Sequence, residues 1–472
     1  MHIFYFFYQC LCIEVHKNGP AIYFALRTII SDNPMRRNKT FGMAALGALA
    51  AFSILAVFFE PYHPQAEEAF DSGDISWMLT ATALVLLMTP GLSFFYGGMV
   101  RAKNIISTLL QSFIALGIIS VFWYVVGFSL AFGDSLGGII GDPRTFPFFH
   151  NVGTASHPVI ASGLPLVLFA AFQLKFAIIT PALITGSFAE RVRFWSYVIF
   201  ICLFSLLIYC PLAHMTWHPD GILAQLGVLD FAGGTVVHIS AGLAAIAGAQ
   251  YLGKRDLNGD SGEDPVHIPY VILGTGLLWF GWFGFNSGSA LAADDVAVSA
   301  LWNTHLASAA AMMAWVVFDA ARGKRPGALG ACIGAVVGLV AITPAAGFVT
   351  AGPSLFIGVA AAMVSNQAMH VMGRRAQLDD TLDVFACHGL GGITGMILTA
   401  VFAVEGGFFT TGDPTLLLNH LFALIILIPV ILITSWVIYM ITDKIAPLRV
   451  SPEQEKIGLD VSQHDELIKG FG

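Results

Sequence analysis

Two histidines are the residues best equipped for chemistry. His238 stands in DFAGGTVVHISAG and His388 in DVFACHGLGGITG, 150 residues later. Both segments are otherwise apolar, and each opens on an aspartate, Asp230 and Asp383. An imidazole stripped of water needs a partner or a wet cavity. For one such residue, a packing role satisfied by a backbone carbonyl is an equal reading; two in matching segments favour a shared pathway. Each ring can donate through one nitrogen and accept through the other, so a pair can hand on a small hydrogen-bonding molecule or relay a proton. Asp230, just ahead of Gly233 and Gly234, is placed to cap the helix that carries His238 and to stiffen its mouth.

Aromatic and hydroxyl groups surround this pair in sequence. Trp217, in HMTWHPDG, suits either an interfacial belt or an entrance. Phe285 and Ser289, in FGWFGFNSGSA, fall four apart and share one face if the helix continues. AFQLKFAIITPAL sets Phe172, Gln173 and Lys175 in an apolar run, and Lys175 is expected to snorkel toward the interface. An apolar lining obstructs a hydrated ion, whereas aromatic faces attract a cation by about 0.5 to 2 kcal/mol each. Cation attraction outside with neutral conduction inside suits a weak base.

The elements that must position these groups are membrane helices. Charged residues make up only 11% of the chain and hydrophobic ones 56%, with 38 Phe and 49 Gly. That composition lies far from a soluble domain. From Trp77 onward there are eleven apolar runs, roughly 77–98, 108–132, 160–185, 194–212, 233–252, 268–286, 296–319, 328–343, 353–372, 384–403 and 419–442. Most reach the ~20 residues that cross ~30 Å of hydrocarbon; the eighth is short. Basic residues follow the odd-numbered runs (Arg101 and Lys103, Arg191 and Arg193, Lys254 and Arg255, Arg322 with Lys324 and Arg325, Arg374 and Arg375), while the intervening loops carry only Arg144. The positive-inside rule then places the tail with Lys444, Arg449 and Lys456 in the cytoplasm. The net charge of -8 adds little, because acidic residues barely influence topology.

The expected fold is an all-α polytopic membrane protein of eleven transmembrane helices, built as two inverted five-helix repeats plus a final helix. A unit with an odd number of crossings must be followed by its copy upside down, and inverted repeats put a pathway at their shared interface. Three parts are expected: an N-terminal extension over 1–74, the membrane domain over 75–443, and a cytoplasmic tail over 444–472. Arg36, Arg37 and Lys39 followed by an apolar run from Phe41 to Phe59 resemble a signal sequence, with Met35 as the true start. No clean cleavage site follows, so an uncleaved extra helix is the alternative. The six cysteines form no disulfide framework, and the chain has no P-loop, no GxSxG and no metal-binding cluster. Neither an enzyme, a cofactor nor a nucleic-acid partner is expected.

The motifs FYGGMVRAKN, AFQLKFAIITPAL, GSFAERVRF, AHMTWHPDG, LDFAGGTVVHISAG, GWFGFNSGSA, DVFACHG and PEQEKIGLDV, in this order from about Trp77 to Asp460, resemble those of the ammonium transporter (Amt/Mep/Rh) family, and of its Amt branch. The resemblance implies a homotrimer in the inner or plasma membrane with one pore per subunit. It implies that His238 and His388 are the twin histidines, that Trp217 and Ser289 with Phe172 recruit ammonium outside, that Phe172 and Phe285 form a gate, and that Asp230 is the structural aspartate. It also implies docking of a PII-type signalling protein on the cytoplasmic face. Lys175 stands where relatives often carry a neutral residue, and His464–Glu466 departs from the usual tail pattern. Two rival functions remain: a haem held between the histidines for electron transfer, and a sensor that binds ammonium without appreciable flux.

Overall fold

The computed structural model describes residues 34–59, 64–66, 69–256, 267–373 and 378–468. The expectations for residues 1–33, including Cys10 and Cys12, and for Arg374 and Arg375 lie outside the described residues. The fold is all-α and crosses the membrane many times. Among the described residues, eleven helices are long and apolar enough to span a bilayer.

In chain order the helices are α1 (Pro34–Phe59), α2 (Ser72–Gly97), α3 (Ile105–Phe122, continued through a π-helical turn Trp123–Gly127 into Phe128–Phe132), and α4 (Leu166–Ile184). Helix α5 runs Phe194–Phe204, then through a π-helical turn Ser205–Tyr209 to Cys210–Trp217. Helix α6 opens on the π-helical turn Gly234–Ile239 and continues as Ser240–Leu252. Then come α7 (Ile268–Ser287), α8 (Asp295–Ala321), α9 (Ala328–Ile342) and α10 (Ala351–Gly373). Helix α11 opens on a second such turn, Phe385–Gly389, and continues as Leu390–Phe402. Helix α12 (Thr415–Ile445) precedes two short tail helices, α13 (Pro452–Ile457) and α14 (Leu459–His464).

The eleven long helices are not the eleven runs read from the sequence. Helix α1 joins them, and the eighth run, α9, is only 15 residues long. At 1.5 Å per residue, α9 falls short of a ~30 Å hydrocarbon core. Its ends explain how it is tolerated. The chain turns at Pro344, whose carbonyl receives the Phe231 N–H at 3.1 Å, and residues 334–346 are buried. Helix α9 therefore ends inside protein rather than against lipid, where an interrupted helix would strand backbone groups.

Helices α2 and α7 make the most extensive contact, and small residues permit it. A Cβ built on Gly274 would meet the Phe95 nitrogen at 2.3 Å, and one on Gly284 the Ala81 carbonyl oxygen at 2.8 Å. One large apolar core joins α2–α7 with parts of α9, α11 and α12, while a second gathers Trp315, Ala307, Ala311 and Ile357 between α8, α9 and α10. Start signals are conventional. Asp71 accepts from Gly73 and Asp74 N–H at the head of α2, Asp294 accepts from Ala297 N–H at the head of α8, and Ser451 with Gln454 closes a capping box on α13.

Two ends of the bundle can be told apart. One carries a small hairpin, β1 (Ser135–Leu136) against β2 (Ile140–Gly141), with Ser135 opposite Gly141; this is the hairpin face. The other carries the tail. There Asp460 accepts the Ile106 and Ser107 N–H groups at 3.0 and 2.8 Å, capping the start of α3, and Asn104 Oδ1 accepts the Leu459 N–H at 2.8 Å. Beside it Glu190 holds Arg101 at 2.7 Å and Arg255 at 3.2 Å, and Asp379 takes Arg255 at 2.9 Å and Arg191 at 3.5 Å. Burial works against ionisation of Glu190, yet the two guanidinium groups hold it below the usual carboxylate value.

Helix α1 stands apart from this packing. It runs from Phe41, stacked at 6.5 Å on Trp195 near the tail face, toward the hairpin face, where the Ala155 N–H donates to the Pro64 carbonyl at 3.0 Å. Its apolar side chains are exposed, Val57 at 71% and Phe58 at 75%.

Candidate functional site

The two histidines meet. Helices α6 and α11 run antiparallel, and where they cross, a Cβ on Gly242 would lie 2.2 Å from the Gly389 nitrogen. This backbone-to-backbone approach brings His238 and His388 together, with ring centroids 5.3 Å apart, planes 23° apart and the two Nδ1 atoms at 3.3 Å. One Nδ1 must donate and the other accept. The donating ring then has a bare Nε2 and the accepting ring an Nε2–H, so the pair offers one acceptor and one donor at its two outer nitrogens. The His238 Nε2 is buried without a protein partner. Both rings ride on π-helical turns, the wide turns that interrupt helices most often at working sites.

Each histidine helix is anchored by an aspartate eight residues ahead. Asp230 accepts three backbone N–H groups, from Gly233 at 2.9 Å, Gly234 at 2.6 Å and Thr235 at 2.7 Å. Gly233 takes φ 111°, open to glycine, and a Cβ there would strike Val237 at 2.7 Å and approach the Trp217 ring at 3.4 Å. Burial raises the Asp230 carboxyl and the N–H bonds pull it back. Its counterpart at the other histidine is Asp380, which takes the Phe385 N–H at 2.8 Å, rather than Asp383, the residue the sequence pattern suggests. Asp383 lies in the left-handed region, φ 54°. Asp380 and Asp383 line a cavity of about 400 Å³ on the tail face with Arg101, Glu190, Arg255 and Asp379. Burial lifts the Asp380 carboxyl to about 6 and that of Asp383 to about 8.

On the hairpin side of His238 the rings form a stack. Trp282 lies 5.4 Å from His238, nearly parallel, with its indole N–H on Thr343 Oγ1 at 2.9 Å; Phe285 lies 6.2 Å from the same imidazole. The ring stacked on Phe285 is that of Phe176, at 4.1 Å and 28°. Phe176 also takes Trp217 edge-on at 5.8 Å. Trp217 is fixed in turn by its indole N–H on the Asp230 carbonyl, 3.1 Å away.

The structure thus brings Trp217, Phe285, His238, His388 and Asp230 into one connected set, with Phe172 one ring further out. Phe172 is fully buried one turn from Phe176, edge-on to it at 4.9 Å, and packs where a Cβ on Gly288 would meet its ring at 2.8 Å. It borders the turn that carries Ser289, but the stack on Phe285 belongs to Phe176. Phe285 and Ser289 are joined across the end of α7, where a 3₁₀ turn replaces the continuing helix and Ser289 Oγ donates to the Phe285 carbonyl at 2.9 Å. Phe176, Trp282 and Asp380 were not singled out from sequence. Phe176 stands four residues after Phe172 within the same motif, and Asp380 repeats the spacing of Asp230. Lys175 is half-buried in α4 and makes no ion pair among the described residues.

Stacked aromatic rings next to two touching imidazoles, inside a many-helix apolar bundle, mark a multi-pass membrane protein with a buried polar pair at its centre. The chain belongs to the ammonium transporter family, whose pattern it matches over residues 76–468. It is 43% identical to a putative ammonium transporter of Methanothermobacter thermautotrophicus, over 84% of this chain and 98% of that one, and 42% identical to an ammonium transporter of Aquifex aeolicus, over 89% and 98%. Among solved structures it resembles Saccharomyces cerevisiae Mep2, with TM-score 0.76, 33% identity and coverage of 82% and 89%. It also resembles a protein described as a sensor Amt protein, with TM-score 0.76, 31% identity and coverage of 83% and 98%. The protein is an ammonium transporter and not an enzyme.

Proposed function

We propose that ammonium is captured on the hairpin face, which is the outer side of the cell membrane, loses its proton at the aromatic lid, and passes as ammonia along His238 and His388 to regain a proton inside. One observation carries this reading: the Phe176–Phe285 stack is followed immediately by the imidazole pair, with Phe285 6.2 Å from His238. Trp217, Ser289 and the Phe176 ring recruit the cation, with Phe172 supporting that ring from behind. Phe176 and Phe285 exclude the hydrated ion, and Asp230 holds Trp217 and the head of α6 in place. A proton travels separately through the shared Nδ1 contact, which makes uptake electrogenic.

Charge alternation among the loops supports a cytoplasmic tail, and family resemblance supports a PII-type partner on that face. The pairing of α2 with α7, and of the Asp230–His238 and Asp380–His388 arrangements, supports two inverted units. The membrane domain spans 75–443, and family resemblance supports a homotrimer. The lone, lipid-facing α1 suits a signal sequence or a retained extra helix; the mass of the mature N-terminus separates the two.

Current on a solid-supported membrane after an ammonium pulse to proteoliposomes tests the uptake reading; neither current nor a change of internal pH would end it. The similarity to a sensor Amt protein gives a second reading, binding with little flux. Growth of a transporter-null host on limiting ammonium decides, since a pure sensor gives no rescue. A haem between the histidines has no room, because their Nδ1 atoms are 3.3 Å apart.

A further inference from the structure

A cavity of about 430 Å³ opens on the hairpin face at the turn that follows Trp217 in the chain, lined by His157, His218, Asp134, Asp220 and Ser135. None of these residues belongs to the aromatic lid. The residue after Trp217 is His218, only 4% exposed, and its Nδ1 faces two competing partners on one residue. The Asp220 backbone N–H donates to it at 3.1 Å, and the Asp220 carboxylate waits at 3.9 Å.

Those two partners want opposite protonation states. A neutral His218 accepts the Asp220 N–H and carries its own hydrogen on Nε2. Once protonated, Nδ1 must donate, so the Asp220 N–H is repelled and the carboxylate attracted. The neighbouring groups bias the same site. His214 stacks on His218 at 4.5 Å and 17°, and it is engaged at both nitrogens, donating from Nδ1 to the Ala131 carbonyl at 3.0 Å and meeting the Ser135 hydroxyl at Nε2, 2.8 Å away. Across the cavity, His157 accepts the Val159 N–H on Nδ1 at 3.4 Å, and burial presses this imidazole below its ordinary value while Asp134 works the other way. His218 is thus the ring following Trp217 in the chain, with a carboxylate placed to accept a hydrogen bond from its protonated form.

We infer that His218 and Asp220 form an external proton-operated switch in the turn after Trp217, so that acid outside loosens the seat of that indole and weakens ammonium capture. The turn transmits the change. The Gly221 N–H donates to the His218 carbonyl at 2.8 Å, Gln225 Nε2 donates to the Pro219 carbonyl at 2.6 Å, and a Cβ on Gly221 would meet the His214 carbonyl at 2.3 Å. Little slack exists, so re-pairing at Asp220 moves the backbone that carries Trp217. This inference rests on the recruiting role proposed for Trp217.

Two measurements on the full-length protein in liposomes decide it, at about pH 4.5 and about pH 7.5, a span that reaches well below the ordinary imidazole value of ~6.5 because burial presses His218 downward. Amide hydrogen exchange over residues 214–226, corrected for the intrinsic rate, is expected to rise on the acid side in wild type and to stay level in His218→Gln, which keeps an acceptor and cannot titrate. The apparent KM for ammonium is expected to rise about threefold or more in acid for wild type and to stay within about twofold in His218→Gln and Asp220→Asn, since one aromatic contact to a cation is worth that much. Equal pH responses in wild type and His218→Gln overturn the switch. Exchange that responds while KM stays flat overturns the coupling to Trp217. A protein with no ammonium current at any pH sinks the transport reading, and the exchange data still decide the switch.

Discussion

Replacing Phe176 and Phe172 separately by leucine tests which ring closes the pore. Leucine keeps most of the buried volume, so both variants should fold. Phe176 is the hub: it stacks on Phe285 at 4.1 Å, takes Trp217 edge-on at 5.8 Å and Phe172 edge-on at 4.9 Å. Phe176→Leu removes a π face from the cation site, worth about 0.5 to 2 kcal/mol. At ~1.4 kcal/mol per tenfold, the apparent affinity for ammonium should fall roughly 2- to 30-fold. Phe172→Leu leaves the Trp217–Phe176–Phe285 set in place and should change affinity by less than about twofold. The assay is the concentration dependence of the ammonium-pulse current in proteoliposomes. A Phe172→Leu shift as large as that of Phe176→Leu, or an unchanged Phe176→Leu, would refute the assignment.

His238→Ala should silence the ammonium current, because one partner of the 3.3 Å Nδ1 contact is gone; wild-type current in that variant would remove the relay. Asp230→Asn keeps an acceptor for some of the three N–H groups but strands at least one, at about 1–3 kcal/mol, whereas Asp230→Ala strands all three. Thermal melting in detergent should therefore rank wild type above Asn above Ala, and equal melting of the two variants would contradict the cap. Glu190→Gln leaves the guanidinium groups of Arg101 and Arg255 facing a neutral amide, at a cost of about 3–5 kcal/mol. Since Glu190 is held below its ordinary value, its contribution is whole at neutral pH and is lost as pH falls through the acid range below ~4.5. Wild-type melting should drop there, and the Gln variant should show a flatter acid profile; a parallel drop in both would deny Glu190 that role.

Much of the architecture was legible because lipid imposes a simple rule. Long apolar runs become helices, and all eleven of those read from the sequence did so at nearly the expected places. Helix α9 is shorter than a span for a physical reason: it ends against Pro344 and Phe231 inside the protein, where hydropathy no longer measures depth. The choice between Phe172 and Phe176 was not legible either. Both lie on one face of α4, a turn apart, and which one reaches Phe285 depends on the axial offset between α4 and α7, a quantity that no local pattern encodes. Asp380 is a different case. Its eight-residue lead on His388 repeats that of Asp230 on His238, but the nearer Asp383 is the acid that opens the apolar segment, and only its left-handed backbone takes it out of the cap. The tail contacts of Asp460 and the ion pairs of Glu190 join residues far apart in sequence and follow only from the assembled bundle.

The glycine crossing of α6 and α11 has a consequence for engineering. The spacing of the two imidazole-bearing helices is fixed by main chain resting on main chain, not by the size of the side chains around it. Exchanging those side chains therefore leaves the spacing alone, whereas adding a single methyl at Gly242 would force α6 and α11 apart and should part His238 from His388 even with every other side chain intact.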